Sequence, residues 1–181
     1  TDLRRMDLRG ARMEGADLVL ARMEGADLSK ARMEGANLVR ARMEGADLGL
    51  ARMEEANLRE AQMEGADLRE ARMEGADLFG ARMEGADLFE ARFQSADADS
   101  AIFTRSLAAS ADFTDTRNLT FAQMASLFGD AATKLSPELE AERPRLVAEA
   151  GWAEEELDFP EAHVRWRARR AERDARERAA E

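Results

Sequence analysis

Apolar residues return along this chain on a beat of five. From Ala11 to Glu90 a small residue opens each unit and a long apolar one stands two places later: Ala11 and Met13, Ala16 and Leu18, Ala21 and Met23, Ala26 and Leu28. Units pair into tens, so that Ala11-Arg12-Met13-Glu14-Gly15-Ala16-Asp17-Leu18 returns nearly unchanged from Ala21, Ala31, Ala41, Ala51, Ala61, Ala71 and Ala81, with a decayed copy from Ala91. Such self-similarity is read before secondary structure, because it decides the architecture. By propensity the unit favours helix. A helix, however, turns about 100° per residue, so a five-residue step advances roughly 140° and the apolar places wander round the cylinder. A Gly in most of the tens weakens the helix further. In extended chain, residues two apart share a face. Ala16 and Leu18 then point one way and Asp17 the other, the next two residues turn a corner, and Ala21 and Met23 point inward again. Four such sides make a square coil of about twenty residues, and coils stack about 4.8 Å apart through backbone hydrogen bonds. The pattern predicts a solenoid with one continuous column of Ala, Leu and Met as its core.

The units Ala16-Asp17-Leu18-Val19-Leu20, Ala36-Asn37-Leu38-Val39-Arg40 and Ala66-Asp67-Leu68-Arg69-Glu70 resemble the A(D/N)LXX pattern of the pentapeptide-repeat family. The resemblance covers roughly residues 1 to 115. It implies an all-β solenoid, a right-handed quadrilateral β-helix; at twenty residues and about 4.8 Å per coil this gives five to six coils and roughly 27 Å, and an α-helical C-terminal cap and tail are expected after it. Alternate units depart from the pattern, with Arg12 and Met13 where Asp and Leu are commoner, which alters the surface and not the packing. The expected division is a repeat β-helix over 1–115 and a helical cap and tail over 116–181.

Register and tail refine this expectation. Residues 1–10 are ragged, with Thr1 and Met6 in the small places. From Ala91 the large inward place is taken by Phe93, Ala98, Phe103, Ala108 and Phe113. With a twenty-residue coil Phe93 and Phe113 stack on one side, and large and small residues compensate in neighbouring layers. Beyond Asp115 the beat stops. Asn118 to Gly129 reads as a short helix, with Thr120 as N-cap, Gln123 three places on and Gly129 as the stop. Its residues Leu119-Thr120, Gln123-Met124 and Gly129-Asp130 also resemble the segment that ends many pentapeptide-repeat chains. Met124, Leu127 and Phe128 are expected to face the last coil. Ser136-Pro137 starts another helix, Pro144 breaks the run, Leu146 to Ala150 form a further turn before Gly151, and Pro160 opens a final helix to about Ala180.

The chain has 181 residues, a net charge of −11, 45% hydrophobic and 36% charged residues, and no Cys. Disulfides, iron–sulfur clusters and thiol chemistry are thereby excluded, and no run approaches the ~20 apolar residues of a membrane span. The chain opens without Met inside a repeat and reads as a cut or processed fragment; a cytoplasmic location is expected. Its acidity disfavours nucleic acid as a direct partner and permits a basic protein.

A twenty-residue coil also fixes the outward columns. Arg12, Arg32, Arg52, Arg72 and Arg92 run beside Glu14, Glu34, Glu54 and Glu74, and Arg22, Arg42 and Arg82 repeat this on the opposite side. Adjacent columns of opposite sign relieve the repulsion within each. On the two Leu sides Asp rows stand without matching cations, and the row holding Asp27, Asp47 and Asp67 is the more negative. Val19, Leu20 and Val39 form an apolar contact strip, and Phe79 with Phe89 a second spot. These eight residues are the candidate interaction surface. In the final helix Val164, Ala168, Ala171 and Ala175 lie on one stripe and Phe159, His163 and Trp166 on another. Residues 164–178 hold seven Arg against three acids. This helix, with Val164, Trp166, Ala168, Ala171 and Ala175, is the expected homodimer contact, and the first coil is the other candidate.

Nothing in the sequence assembles an active site. His163 sits among Arg residues with no triad partner, the nonapeptide pattern of calcium-binding β-rolls is absent, and no glycine loop precedes a helix to hold phosphate. No catalytic residue, cofactor or metal is expected. The leading reading is a non-enzymatic protein–protein interaction scaffold with an unidentified protein partner. The resemblance implies a second, a DNA mimic that binds DNA gyrase or topoisomerase as the quinolone-resistance branch does; the absence of projecting loops and the Arg columns weigh against it. A third is an engineered or consensus-like rod, against which Gln62, Glu55 and the irregular tail argue for recent duplication in a natural gene.

Overall fold

The computed structural model describes residues 1–155, 157, 160–166 and 168. From Asp2 to Arg117 the chain pairs with itself in parallel at a constant separation of twenty, as in Asp2 with Arg22, Asp7 with Asp27, Arg12 with Arg32 and Asp17 with Asn37. Those four columns are the four sides of each coil. Every side is a single bridge and not an extended strand. It is nevertheless densely bonded: the Leu18 and Leu20 N–H groups donate to Asn37 and Val39 carbonyls at 2.8 and 2.9 Å, and the Asn37 N–H returns to the Ala16 carbonyl at 2.9 Å. A buried repeat this narrow holds together because most of its backbone N–H groups find a carbonyl one coil away.

Corners recur every five residues and share one geometry. The Ala N–H closes on the Leu or Met carbonyl three residues back, as in Ala21 to Leu18 at 3.0 Å and Ala36 to Met33 at 3.0 Å, with the residue just before that Ala in the left-handed region. Glycine suits that place, and Gly35 holds it with φ 63°. The Leu-type units put Leu20, Lys30, Arg40 and Leu50 there instead, at φ 55° to 59°. The glycine that weakened the helix reading therefore has a positive role as a corner.

Inside, Ala and the long residues are fully buried from Ala21 to Ala91, and Met33, Leu38, Met43 and Leu48 have no solvent contact. Leu3, Leu8 and Met13 of the first coil are partly buried against this core. Where the repeat decays, Phe93 and Phe113 stack with centroids 4.7 Å apart and planes 5° from parallel, and Phe103 meets them edge-on at 6.1 and 6.0 Å. Ala98 and Ala108 are buried beside them, small residues yielding the volume the rings occupy.

Past Arg117 the coil separation stretches: Leu107 bridges Phe128 and Asp112 bridges Lys134. The extra residues hold helix α1, Phe121–Ser126, whose Thr120 N-cap and Gln123 form a capping box. The Gln123 side-chain amide donates to the Ala98 and Ala101 carbonyls at 2.9 and 2.8 Å, and Met124 and Leu127 join the solenoid core. Helix α1 ends at Ser126, short of Gly129. That glycine has another cause: a Cβ there would lie 2.7 Å from the Trp152 ring. Helix α2, Pro137–Glu140, starts at Ser136 as expected. Pro144 does not break a helix but sits in the first turn of α3, Arg143–Arg145, where a missing N–H costs nothing. A π-helical turn, Leu146–Ala150, ends at Gly151 with φ 70°.

Asp130 ties these parts together. Fully buried, its Oδ1 accepts from the Ser110 N–H at 2.9 Å and from the Thr133 N–H and Oγ1–H at 3.0 and 2.9 Å, and its Oδ2 from the Leu157 N–H at 3.0 Å. A helical turn over 160–166 then lies against the rod, burying Ala162 and Trp166 with Phe89, Leu107 and Phe128.

Candidate interaction surface

Outward residues of the Arg sides neutralise one another. From Arg32 to Arg82 each arginine of these columns lies between the glutamate two places on and the glutamate eighteen places back: Arg32 reaches Glu14 at 3.0 Å and Glu34 at 3.6 Å, and Arg52 reaches Glu34 at 3.0 Å and Glu54 at 3.5 Å. Arg42 to Glu24 at 3.2 Å and Arg82 to Glu64 at 3.0 Å repeat the ladder on the opposite side. Half-exposed pairs contribute little stability each, but they leave two flat sides of low net charge.

The Asp sides behave differently. The carboxylate or amide Oδ1 accepts the backbone N–H two residues on, from Ser29 to Asp27 at 3.1 Å, Gly49 to Asp47 at 3.0 Å, Arg69 to Asp67 at 3.1 Å and Val39 to Asn37 at 3.4 Å. These are Asx turns, and they explain why this place holds Asp or Asn. The rows are therefore more than surface charge, and they do not lack cations, contrary to the expectation from the repeat. Arg9 pairs with Asp7 at 2.7 Å and Asp27 at 3.5 Å, Arg59 with Asp77 at 3.1 Å, and Arg69 Nε with both oxygens of Asp67 at 2.7 and 2.8 Å. The arginines come from the variable fourth place of the unit, whose direction along the face the repeat alone does not reveal.

On the side carrying Asp27, Asp47 and Asp67, the small residues Ser29 and Gly49 leave a groove of about 530 Å³, walled by Lys30, Leu50, Arg69, Glu70 and Glu90 and ending at Phe89. On the other Asp side Val19 and Leu20 are exposed, at 39% and 61%, and Val39 lies half-buried one coil on. The strip is therefore contiguous. Phe79 is half-buried beneath the Arg59 guanidinium, 4.4 Å from the ring centroid.

Phe89 requires a correction. It is only 8% exposed, because Trp166, Leu157 and Phe128 cover it, so it forms no surface spot with Phe79. In that outward row Asp gives way to Leu107 after Asp87, and Leu107 is buried with Phe89. Trp166 also changes role. It is 8% exposed and its Nε1–H donates to the Arg105 carbonyl at 2.8 Å, so it faces the rod and not a second helix. Val164, 68% exposed, and Ala168 point away from that contact. Ala171, Ala175 and Phe159 lie outside the described residues.

A scan of protein families matches Pentapeptide repeats in eight copies, over residues 1–25, 18–54 and 46–85. Residues 1–85 are thus a run of pentapeptide repeats of that family. No curated protein matches the chain. Among solved structures, this pentapeptide-repeat chain is similar to HetL, a pentapeptide repeat protein involved in heterocyst differentiation regulation from Nostoc sp. strain PCC 7120. The two are 25% identical, with 75% of this chain and 68% of that chain covered and a TM-score of 0.48. A pentapeptide repeat protein of the Arabidopsis thaliana thylakoid lumen is 28% identical over 67% of this chain and 74% of that one, with a TM-score of 0.34. QnrB1, a plasmid-mediated fluoroquinolone resistance protein, is 18% identical over 84% and 94%, with a TM-score of 0.33. Among the described residues no helix is long and apolar enough to cross a membrane.

Proposed function

We propose that this pentapeptide-repeat protein is a non-enzymatic interaction scaffold: a rod over 1–115 that presents a protein-binding face, with 116–181 as the helical cap and tail that closes its C-terminal end. The observation that carries this reading is the groove over Gly49, where the repeated side chains recede and Asp47, Lys30 and Leu50 stand within reach of one ligand segment. A protein segment with basic and apolar residues fits that lining. The test places a photocrosslinking residue at Leu50 or, as control, at Arg32 on the ladder side of the intact chain. A discrete partner captured from Leu50 and not from Arg32 is expected; equal capture from both positions, or hydrolase, transferase or redox turnover by the purified chain, would refute the reading.

Mimicry of DNA toward gyrase is the second reading, supported by the net charge of −11. The Asx bonds and arginine pairs of the Asp rows make it the weaker one. Inhibition of gyrase supercoiling at micromolar protein, abolished by neutralising Asp27, Asp47 and Asp67, would put it first. Self-association through Val164 and Ala168 is tested by light scattering of the full chain beside a chain ending at residue 160: a dimer lost on truncation supports it, and a monomeric full chain ends it.

A further inference from the structure

The corner column beside the Gly49 groove keeps its opposite charges apart. Lys30, Leu50, Glu70 and Glu90 stand one above another, the N–H groups of the first three closing on the Gly49, Arg69 and Phe89 carbonyls at 2.8, 2.8 and 2.9 Å. All four side chains are exposed. At about 4.8 Å per coil, Lys30 and Glu70 lie roughly 9.6 Å apart with Leu50 between them. On the opposite corner the corresponding charges are neighbours, and Arg40 pairs with Glu60 at 2.7 Å. Among the described residues Lys30, Glu70 and Glu90 form no ion pair, while Arg69 of the groove is engaged by Asp67. Gly49 is also unlike the corner glycines. Gly45 and Gly65 need their φ of 64° and 66°, but Gly49 is not at positive φ, and Ser29 makes the same Asx bond with a side chain in place. No turn requires this glycine, and its missing side chain opens the groove beside Leu50.

We propose, resting on the scaffold reading above, that the groove takes a helix of the partner carrying an acid, an apolar residue and a base on successive turns. The acid faces Lys30, the apolar side chain enters over Gly49 against Leu50, and the base faces Glu70 and Glu90. Spacing selects the helix. From i to i+7 a helix advances about 10.5 Å, within about 1 Å of the Lys30–Glu70 span. Three same-face residues of a strand span about 13 Å and overshoot it by about 4 Å. Charge selects the ends, because a base at Lys30 or an acid at Glu70 meets its own sign. A uniformly basic segment, which the net charge of −11 attracts from a distance, is thereby disfavoured at one end of the groove.

The test titrates the intact, isotope-labelled chain with three alanine-based helical peptides at physiological ionic strength, where long-range attraction is screened. They carry Glu-Leu-Lys, Lys-Leu-Lys or Glu-Leu-Glu at i, i+4 and i+7, and the amide resonances of Gly49 and Leu50 report binding. The Glu-Leu-Lys peptide should bind about fivefold more tightly than either of the others, each of which exchanges one exposed ion pair for a like-charge contact. Lys30→Glu should make Lys-Leu-Lys the tightest of the three. The corner tolerates that change, since Glu70 holds it at φ 56° and Lys30 at 59°. Equal affinities for the three peptides, or a Lys30→Glu chain that still prefers Glu-Leu-Lys, overturn the charge order and leave the groove a binding face. No shift at Gly49 and Leu50 with Glu-Leu-Lys, or shifts there on concentrating the chain alone, overturn the proposed occupant; crosslinking from Leu50 then decides the scaffold reading separately.

Discussion

Asp27, Asp47 and Asp67 carry two competing meanings, charge and corner, and one pair of variants separates them. Replacing all three by Ala removes three Asx bonds, with donor distances of 3.1, 3.0 and 3.1 Å. At about 1 kcal/mol net per hydrogen bond, the loss should be about 3 kcal/mol. Loss of the half-exposed Arg69 pair adds at most about 1 kcal/mol. Replacing all three by Asn removes the same three charges but keeps an oxygen for each corner N–H, and that variant should lose no more than about 1 kcal/mol. Urea unfolding at one pH and ionic strength, followed by far-UV circular dichroism, reads both against the wild type. Equal losses in the Ala and Asn variants would show that charge, not the corner bond, governs stability here, and no loss in either would remove the Asx argument altogether. The Asn variant is also the form to carry into a gyrase assay, because its fold is expected to stay intact.

Leu48→Lys places a charge in a column with no solvent contact and should cost several kcal/mol, whereas Glu44→Lys, on the half-exposed ladder side, should cost less than about 1 kcal/mol; similar thermal shifts for the two would reverse inside and outside. Phe89→Ala should destabilise by about 3 kcal/mol, and Phe79→Ala, which loses chiefly the Arg59 stack, by about 1 kcal/mol; denaturant midpoints check the order. Glu55 holds a corner at φ 58°, so Glu55→Gly should stabilise by about 1 kcal/mol, and Gly65→Ala, where a Cβ meets nothing within 4 Å at φ 66°, should cost a similar amount in a thermal melt.

The five-residue beat by itself determined the coil. Ala16 and Leu18 inside with Asp17 outside, a corner every fifth residue and a twenty-residue pairing all follow from the alternation of side chains along extended chain, and the partners Asp17 and Asn37 lie where that arithmetic puts them. The capping box of α1 and the Ser136 start of α2 were legible for a similar reason, since they depend on neighbours along the chain. What only the tertiary structure decided depends on residues far apart in sequence. Phe89 looked like surface because its own repeat points outward there, and it is buried because Phe128 and Trp166 return to cover it. Gly129 looked like a helix stop, and its reason is a ring twenty-three residues later. The Asp rows looked like bare charge, because no periodicity tells whether Arg9, Arg59 and Arg69 lean along their own side or away from it. A repeat specifies backbone and core through local geometry; which outward residues stay outward is set by the non-repeating segment that folds back onto them.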